Sequence, residues 1–318
     1  MRVIFMGTPD FSVPALEKLN DEHEVLAVVT QPDKPKGRSG KLIACPVKEK
    51  ALELGLRVLQ PERARDEAFI SEIKALNPDM IIVIAYGQIL PGEILELPKY
   101  GCVNVHASLL PKYRGAAPIQ WAVINGDKVS GVTTMLMNEG LDTGDILLAK
   151  EVELKYDETG GSLFERLSSI GAGLMLETIT GLENGEITPI PQDDSKASKV
   201  GLLTKAMGEL DFNKSSRELE RLVRGLDPWP GAFTYIDGKK LSIWKCSAVE
   251  TPQDTEIDYC GAVTAVGKDY IDISCREGDL RLTEVQLEGK KRMSVRDFLN
   301  GFEVRRGDKL GRGKEQYQ

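Results

Sequence analysis

His106 is the residue of this sequence that is best placed to do chemistry. It ends an apolar run, and Asn104 lies two positions before it, so both side chains share one face if the run forms a strand. Open α/β sheets carry their functional groups at the carboxyl ends of their strands. His106 is therefore a candidate catalytic residue, with a purely structural histidine as the alternative. The other histidine, His23, lies in a polar turn and is predicted to be an ordinary surface residue.

A carboxylate that could act with this pair lies in the Gly-rich segment 138–145, which contains Asp142 and Asp145. Spacing alone does not choose between the two, and either could instead cap a turn. An imidazole, a carboxamide and a carboxylate together suit acyl transfer, because the first two can stabilise an oxyanion and the third can manage protons. No serine or cysteine nucleophile is needed for such a reaction. The acyl acceptor would attack directly, which suits an amine with a low pKa.

The hydropathy pattern predicts the elements that must position these residues. Apolar, β-branched runs typical of strands recur at residues 2–6, 24–30, 80–85, 131–137 and 146–154. The six consecutive apolar residues of 80–85 indicate a strand buried on both faces, as in a parallel sheet covered by helices. A long helix is predicted over 162–182. The first part of the chain is therefore predicted to have an α/β fold with a doubly wound, mostly parallel sheet.

The second part of the chain has a different pattern. A stretch rich in proline, glycine, acids and serine begins near residue 184 and is predicted to be an irregular linker. After it come a helix over 215–224 and about five short, closely spaced strand-like runs, which are typical of a small all-β barrel of the OB type. We therefore predict an α/β domain over 1–184, a linker over 185–206 and an OB-like domain over 207–318.

Composition excludes several classes of protein. With 41% apolar and 28% charged residues, the chain is predicted to fold. No run reaches the roughly 18 apolar residues of a membrane span, and the first apolar stretch is too short for a signal peptide. The five cysteines include no C-x-x-C pair, so neither a disulfide framework nor a metal site is predicted. We expect a cytoplasmic monomer that uses no metal and does not bind membranes.

The net charge of −8 is distributed unevenly along the chain. Residues 201–318 carry 20 basic and 20 acidic side chains, so the whole excess of acid lies in residues 1–200. Within residues 290–314, nine basic side chains meet only three acidic ones. An acidic protein of this kind can still present a surface that binds polyanions.

Longer motifs surround the candidate residues. Residues 104–118 read Asn-Val-His-Ala-Ser-Leu-Leu-Pro-Lys-Tyr-Arg-Gly-Ala-Ala-Pro, and Gly-Leu-Asp-Thr-Gly-Asp follows at 140–145. Together they closely resemble the signature of the folate-dependent formyltransferases. Met-Gly-Thr-Pro-Asp-Phe at 6–11 and Asp-Pro-Trp-Pro-Gly-Ala-Phe at 227–233 narrow the resemblance to members that act on methionyl-tRNA. The resemblance covers essentially the whole chain.

This resemblance implies transfer of the formyl group of 10-formyltetrahydrofolate to the α-amino group of methionine on initiator tRNA. Carried over residue by residue, it implies that Asn104, His106 and Asp142 form the catalytic trio and that the α/β domain is of the formyltransferase type. Two short segments would line the apolar folate pocket: Ser108, Leu109, Leu110 and Pro111, together with Gly87, Gln88, Ile89 and Leu90.

Two basic segments are candidates for binding the tRNA. The loop over 31–41 reads as an ordinary solvated loop from composition, but a loop at this place in the family reaches the acceptor end, which implies roles for Arg38 and Lys41. The basic run over 290–314 lies in the predicted OB-like domain, and such domains commonly bind nucleic acid. The candidates from this run are Lys290, Lys291, Arg292, Arg305 and Arg306.

The sequence departs from the family in one place and leaves two other interpretations open. Residues 198–203 read Ser-Lys-Val-Gly-Leu-Leu where relatives have a Tyr-Ala-Pro-Lys-type segment, so the resemblance supports no specific contact of the linker with RNA or the active site. The alternatives are a formyltransferase acting on glycinamide ribonucleotide or an amino-sugar nucleotide, and a non-catalytic RNA-binding protein. The first would favour a longer Gly-rich phosphate cradle after the first strand, and the intact trio argues against the second.

Overall fold

The computed structural model describes residues 1–36, 41–250 and 259–312. The chain divides into two compact units. The α/β unit comprises Met1–Pro118, Val129–Glu153 and Phe164–Gly201, and the β unit comprises Ile119–Lys128, Leu154–Leu163 and the residues from Leu202 onward. Each unit therefore takes its residues from more than one stretch of the chain, which a single boundary between 184 and 207 does not anticipate.

The α/β unit is built on one seven-stranded sheet in the order β10-β9-β7-β6-β1-β2-β5. Its strands are β1 (Arg2–Gly7), β2 (Glu24–Val29), β5 (Val58–Leu59), β6 (Met80–Ile84), β7 (Cys102–His106), β9 (Val129–Leu136) and β10 (Asp145–Glu153). The strands β7, β6, β1, β2 and β5 are parallel to one another. At one edge, β9 pairs antiparallel with β7, and β10 pairs antiparallel with β9. The predicted mostly parallel sheet is confirmed.

Two short strand pairs lie outside this sheet. They are β3 (Lys34–Lys36) with β4 (Lys41–Ile43), and β8 (Arg114–Gly115) with β11 (Lys199–Val200). The α-helices of the chain are α1 (Val13–Glu22), α2 (Pro46–Glu53), α3 (Glu67–Leu76), α4 (Gly92–Leu95), α5 (Pro118–Asn125), α6 (Gly160–Glu183), α7 (Ser216–Gly225) and α8 (Val295–Gly301). Short 3-10 helices span Asp10–Ser12, Asp194–Lys196 and Lys205–Gly208.

Burial explains why the central strands are apolar throughout. All five residues of β6 are buried, because helices cover the sheet on both faces and leave no solvated side for polar residues. The core on one face joins sheet residues such as Ile4, Ile81 and Val83 to Phe69 and Ile73 of α3. The carboxyl ends of β6 and β7 are held in place by this core.

The β unit has an antiparallel sheet in the order β12-β13-β16-β15-β14, with β17 added beside β16. Its strands are β12 (Ala232–Ile236), β13 (Lys239–Val249), β14 (Val263–Val266), β15 (Ile271–Ser274), β16 (Asp279–Leu287) and β17 (Met293–Ser294). Leu219 and Val223 of α7 and Phe298 of α8 pack on its core. A small β domain is confirmed. The edge strands β12 and β14 are not paired with each other in the described ranges, so the ladder does not close there.

The segment predicted as an irregular linker is ordered against the α/β unit as far as Gly201. Ile190 pairs with Ile146 of β10, and Lys199–Val200 form the strand β11 that pairs with β8. Its prolines and acids did prevent long elements, but they did not prevent short pairings with a neighbouring loop. The resemblance supported no specific contact of residues 198–203 with the candidate site, whereas in the structure the Tyr113 N–H donates to the Ser198 hydroxyl and β11 pairs with β8.

Candidate active site

Asn104 and His106 lie on β7 where the parallel part of the sheet meets its antiparallel edge. Asn104 is opposite Met135 and His106 is opposite Thr133 on β9. The strand alternation turns both polar side chains to the same face. His106 is 7% exposed, whereas Asn104 is only partly buried. Among the described residues no hydrogen bond joins the Asn104 carboxamide to the rest of the chain, so its donors and acceptor are available to a ligand.

The hydrogen bond made by His106 decides which ring nitrogen faces the site. Its Nε2 lies 3.0 Å from the carbonyl oxygen of Tyr113. A carbonyl only accepts, so Nε2 carries the proton and donates it there. Nδ1 is then the nitrogen that is free to take up a proton, and it lies 3.7 Å from Oδ2 of Asp142. The ring is held by the chain on one side and faces a carboxylate on the other.

Asp142, and not Asp145, is the acid that meets His106. Its side chain is only 11% exposed. The backbone N–H of Gly115 donates to its Oδ2 over 2.7 Å. The Asp142 backbone has a φ of 53°, in the left-handed region, which aspartate tolerates better than most residues. Two members of the trio inferred from the resemblance, His106 and Asp142, are therefore held by residues 113–115, which include the short strand β8.

The turn that follows His106 is held from within. The Ser108 hydroxyl donates to the Lys112 carbonyl over 2.7 Å, and the buried Thr133 hydroxyl donates to the Ser108 carbonyl while accepting from the Leu110 N–H. Ser108 is 1% exposed and Leu110 is 8% exposed. The Ser108 hydroxyl thus serves the turn, which then presents the half-buried Leu109 and Pro111.

The second predicted folate segment is divided between core and surface. Leu90 is in the core at 3% exposure, and the Gln88 side chain accepts from the Ala64 N–H and donates to the Glu62 carbonyl. Ile89 is 79% exposed. Gly87 has a φ of 87°, which favours glycine. Ile89 and the Gly87 backbone are therefore the parts of this segment that can contact a ligand.

Burial or hydrogen bonding makes three side chains that could act as covalent nucleophiles unreactive. Cys102 lies two residues before Asn104 on the same strand, but burial raises the pKa of its thiol to about 12. The Ser108 hydroxyl is engaged by the Lys112 carbonyl. Tyr86 is almost fully buried, and burial raises the pKa of its phenol to about 12. These environments favour direct attack by an acceptor over a covalent enzyme intermediate.

Two residues that the sequence analysis did not single out stand behind the trio. Arg114 is 4% exposed, and its guanidinium donates to Gln192, whose own amide donates to the carbonyls of Asp142 and Gly144. The signal for Arg114 was present, because it lies inside the motif that resembles the family. Gln192 carried no comparable signal, since it lies in a segment whose composition resembles a linker.

The predicted tRNA-binding residues have different surroundings. Arg38 lies outside the described residues, and Lys41 begins β4, although its side chain is not described. Lys290, Lys291 and Arg306 are exposed and make no ion pair among the described residues. Arg292 pairs with Glu284 and stacks over Trp244, and Arg305 pairs with Glu303. Of the five predicted cations of the basic run, Lys290, Lys291 and Arg306 are therefore the ones whose charge is available to a phosphate.

Two further features bear on the kind of protein. In the described ranges, no group of three or more His, Cys, Asp or Glu side chains is arranged to hold a metal ion. None of the helices there combines the length and the apolar character needed to cross a membrane.

Comparison with known proteins shows similarity along almost the whole chain. The family models described as formyl transferase and as formyl transferase, C-terminal domain, match residues 1–179 and 202–303. A methionyl-tRNA formyltransferase of Lachnospira eligens is 57% identical over 98% of this chain and 100% of its own. A methionyl-tRNA formyltransferase of Agathobacter rectalis is 51% identical over 96% of this chain and 98% of its own.

A solved structure supports the fold. The N-formyltransferase of Helicobacter canadensis, in complex with folinic acid and dTDP-3-aminofucose, aligns with a TM-score of 0.64, 19% identity, and coverage of 92% of this chain and 99% of its own. At this identity the match concerns the architecture alone.

Proposed function

The chain belongs to the formyl transferase family and, within it, to the methionyl-tRNA formyltransferases, and from this we propose that Asn104, His106 and Asp142 perform its reaction. The protein transfers the formyl group of 10-formyltetrahydrofolate to the α-amino group of methionyl initiator tRNA. The observation that carries this conclusion is the 57% identity to a methionyl-tRNA formyltransferase over 98% of the chain. The relatives do not favour glycinamide ribonucleotide or an amino-sugar nucleotide as the acceptor. They also do not favour a non-catalytic role in RNA binding.

The reaction exchanges one C–N bond for another. The amine nitrogen attacks the formyl carbon, and the carbonyl electron pair moves to oxygen to form a tetrahedral intermediate. Collapse of this intermediate breaks the bond to N10 of the folate, which takes the proton that the amine gives up. A free α-amino group titrates at about 7.7 to 8.0 and esterification lowers this further, so much of the nucleophile is neutral near pH 7. The protein therefore needs to stabilise charge more than to create a nucleophile.

We assign the roles from the hydrogen bonds of each side chain. The Asn104 carboxamide has no internal partner among the described residues and can donate to the oxyanion. His106 presents Nδ1, because Nε2 is engaged by the Tyr113 carbonyl. Once Nδ1 is protonated it can donate to the oxyanion, and the Asp142 carboxylate 3.7 Å away stabilises the resulting imidazolium. Asp142 thus acts through His106, or through a water that carries the proton from the amine to N10.

The proposed folate pocket is formed by the segments that follow β6 and β7. Leu109, Pro111 and Ile89 supply apolar walls for the flat pterin, and the Gly87 backbone can approach it closely because it lacks a side chain. The other predicted members, Ser108, Leu110, Gln88 and Leu90, support these walls from behind.

The division of labour between the domains is also a proposal. We propose that the residues of 1–184 bind folate and perform the transfer, that 207–318 bind the tRNA through phosphate contacts, and that Arg38 and Lys41 act at the acceptor end. Lys290, Lys291 and Arg306 support this, as exposed cations without an ion pair in the described ranges. We further infer a cytoplasmic monomer that does not bind membranes. All five cysteines are free thiols, as a reducing compartment would keep them.

His106→Ala is the direct test of this assignment. Losing one oxyanion donor costs about 10²- to 10³-fold in rate, and we expect a loss of that size in kcat. The assay measures formyl transfer to methionyl initiator tRNA, with glycinamide ribonucleotide and an amino-sugar nucleotide as alternative acceptors. His23→Ala is the matched control and should retain kcat within about twofold.

Two results would contradict the proposal. Near-normal turnover of folded His106→Ala protein would show that His106 has no catalytic role. Formylation of either small acceptor in place of the tRNA would show that the assigned substrate is wrong.

A further inference from the structure

We propose that Gln192 is a positioning residue for this reaction, and that its side-chain amide, oriented by Arg114, holds the loop that carries Asp142. The inference rests on the proposed role of Asp142.

The Gln192 amide uses all of its hydrogen-bonding capacity between two parts of the site. Its Oε1 accepts from Nε and Nη2 of Arg114 over 3.0 and 2.8 Å. Its Nε2 donates to the carbonyl oxygens of Asp142 and Gly144 over 2.9 and 2.7 Å. An amide offers two donors and two lone pairs, and all four are engaged here. One side chain therefore joins the catalytic loop to the guanidinium behind it.

The Asp142 loop depends on these bonds because the sheet does not supply them. The β9–β10 ladder ends at the pair Leu136–Asp145, so the carbonyls of Asp142 and Gly144 lie beyond its last rung. Asp142 also has a positive φ, a conformation that persists only where the surroundings hold it. A side chain at Gly144 would collide with the Leu136 carbonyl, so the loop lies tightly against the strand end. Gln192 supplies the donors that this geometry leaves without a ladder partner.

Arg114 determines which way the Gln192 amide points. A guanidinium only donates, so it can meet the amide oxygen but not the amide nitrogen. With Oε1 toward Arg114, the NH₂ group must face the two carbonyls. If the amide were reversed, its NH₂ group would face the N–H donors of Arg114. Its oxygen would then face the carbonyl oxygens of Asp142 and Gly144. Because Arg114 is 4% exposed, water competes little for this bond.

The two residues that flank Arg114 contact His106 and Asp142. The carbonyl of Tyr113 accepts from His106, and the N–H of Gly115 donates to Asp142. Arg114 lies between these two residues, and β11 pairs with β8 from the other side. Asp142 is thus held twice, by Gly115 at its carboxylate and by Gln192 at its backbone. Loss of the second contact should let the carboxylate move relative to Nδ1 of His106.

Gln192→Glu and Gln192→Met test this inference in the full-length protein. Glutamate keeps the acceptors for Arg114 but cannot donate to the two carbonyls, and methionine removes all four bonds. Misplacing a catalytic group by about 1 Å can cost about 10²-fold, and we expect kcat for formyl transfer to fall by about 10- to 100-fold in both variants. The KM values for 10-formyltetrahydrofolate and methionyl-tRNA should stay within about threefold, because neither substrate contact is removed.

Lys196→Ala is the matched control. Lys196 lies four residues from Gln192 and pairs with Asp193, and the two side chains are 75% and 50% exposed. The kcat of this variant should stay within about twofold of the wild-type value, because exposed ion pairs contribute little.

A double-mutant cycle with Asp142→Asn separates positioning from a general structural effect. If Gln192 acts through Asp142, Gln192→Glu should cost less than about twofold in kcat once Asp142 is already replaced.

The failures are distinguishable. If Gln192→Met does not fold, Gln192→Glu decides the matter. Wild-type kcat in folded Gln192→Glu protein, or an equal loss in the presence and absence of Asp142→Asn, would overturn the role of Gln192. Full activity of Asp142→Asn alone would overturn the role of Asp142, and absence of formyl transfer by the wild-type protein would overturn the function itself.

Discussion

At the scale of single residues, the hydrogen-bond partner decides what a side chain can do. His106 is chemically equivalent to His23 as a residue type, but the Tyr113 carbonyl fixes its protonated nitrogen and leaves Nδ1 facing Asp142. Asp142 and Asp145 are three residues apart, yet only Asp142 accepts from Gly115 and meets the imidazole. The residue types indicated which side chains could be catalytic, and the hydrogen-bond partners in the structure distinguish His106 from His23 and Asp142 from Asp145.

Glu284 in the β unit allows the same principle to be tested by pH. Its hydrogen bond with Arg292 holds the pKa of its carboxyl below the ordinary value of about 4.5. A lowered pKa in the folded state means that Glu284 stabilises the fold above the unfolded pKa and loses this effect as pH falls through the folded one. We expect Glu284→Gln to be less stable than wild type at pH 7, and the difference in stability to shrink as the pH falls through the lowered pKa of Glu284.

Urea unfolding followed by tryptophan fluorescence checks this prediction, because Trp121, Trp229 and Trp244 all belong to the β unit. Glu277→Gln is the control, since Glu277 is exposed and its side chain makes no ion pair in the described ranges. A stability difference between Glu284→Gln and wild type that stayed constant with pH would contradict the assignment.

At the scale of elements, the site is made by strand ends and by the short segments that hold them. β7 carries Asn104 and His106, and β9 holds the following turn through Thr133. Residues 113–115, which include β8, contact both His106 and Asp142. The longest of these strands have strong apolar patterns. β8 and β11 are two residues each, and they exist because they pair with each other.

Thr133→Val tests the support of the turn by β9. The Thr133 side chain is fully buried, and its hydroxyl bonds both the Ser108 carbonyl and the Leu110 N–H. Valine has nearly the same shape but leaves both groups without a partner, which costs about 1–3 kcal/mol. We expect a lower free energy of unfolding, by that amount, and a raised KM for 10-formyltetrahydrofolate. Urea unfolding followed by circular dichroism measures the first effect.

Thr188→Val is the control for this substitution, because Thr188 is exposed and belongs to the same unit. Its stability should change by less than about 0.5 kcal/mol. Equal stability of Thr133→Val and wild type would show that the turn does not depend on this hydroxyl.

At the scale of the whole molecule, the net charge of −8 conceals two different units. The basic run over 290–314 belongs to the β unit, and within the described part of it some cations are already neutralised by neighbours. Arg292 and Arg305 have carboxylate partners, whereas Lys290, Lys291 and Arg306 do not among the described residues. Charge counted from sequence therefore overstates the cations available for RNA.

The triple variant Lys290→Ala, Lys291→Ala, Arg306→Ala should bind methionyl-tRNA more weakly and with a smaller salt dependence. Each lost phosphate contact lowers the slope of log K against log salt by about 1. The KM for 10-formyltetrahydrofolate should not change. Binding measured at several salt concentrations tests this, with Lys18→Ala, Lys74→Ala, Lys150→Ala as a control of equal charge change on exposed lysines of the α/β unit. Equal salt slopes for the two variants would contradict the proposed tRNA surface.

Sequence alone determined the features that depend on local patterns. Runs such as 80–85 predicted buried parallel strands, and the motif over 104–118 with Asp142 identified the family and the proposed trio, because hydropathy periodicity and motif spacing are properties of neighbouring residues. The role of residues 190–200 could not be obtained in this way. Gln192, Ser198 and β11 contact residues 50 to 85 positions away, and their hydrogen bonds exist only once the chain has folded. Tertiary structure alone decided that a segment with the composition of a linker contacts the loops of the proposed active site, because a polar, proline-rich sequence can satisfy its backbone equally well in water or against a neighbouring loop.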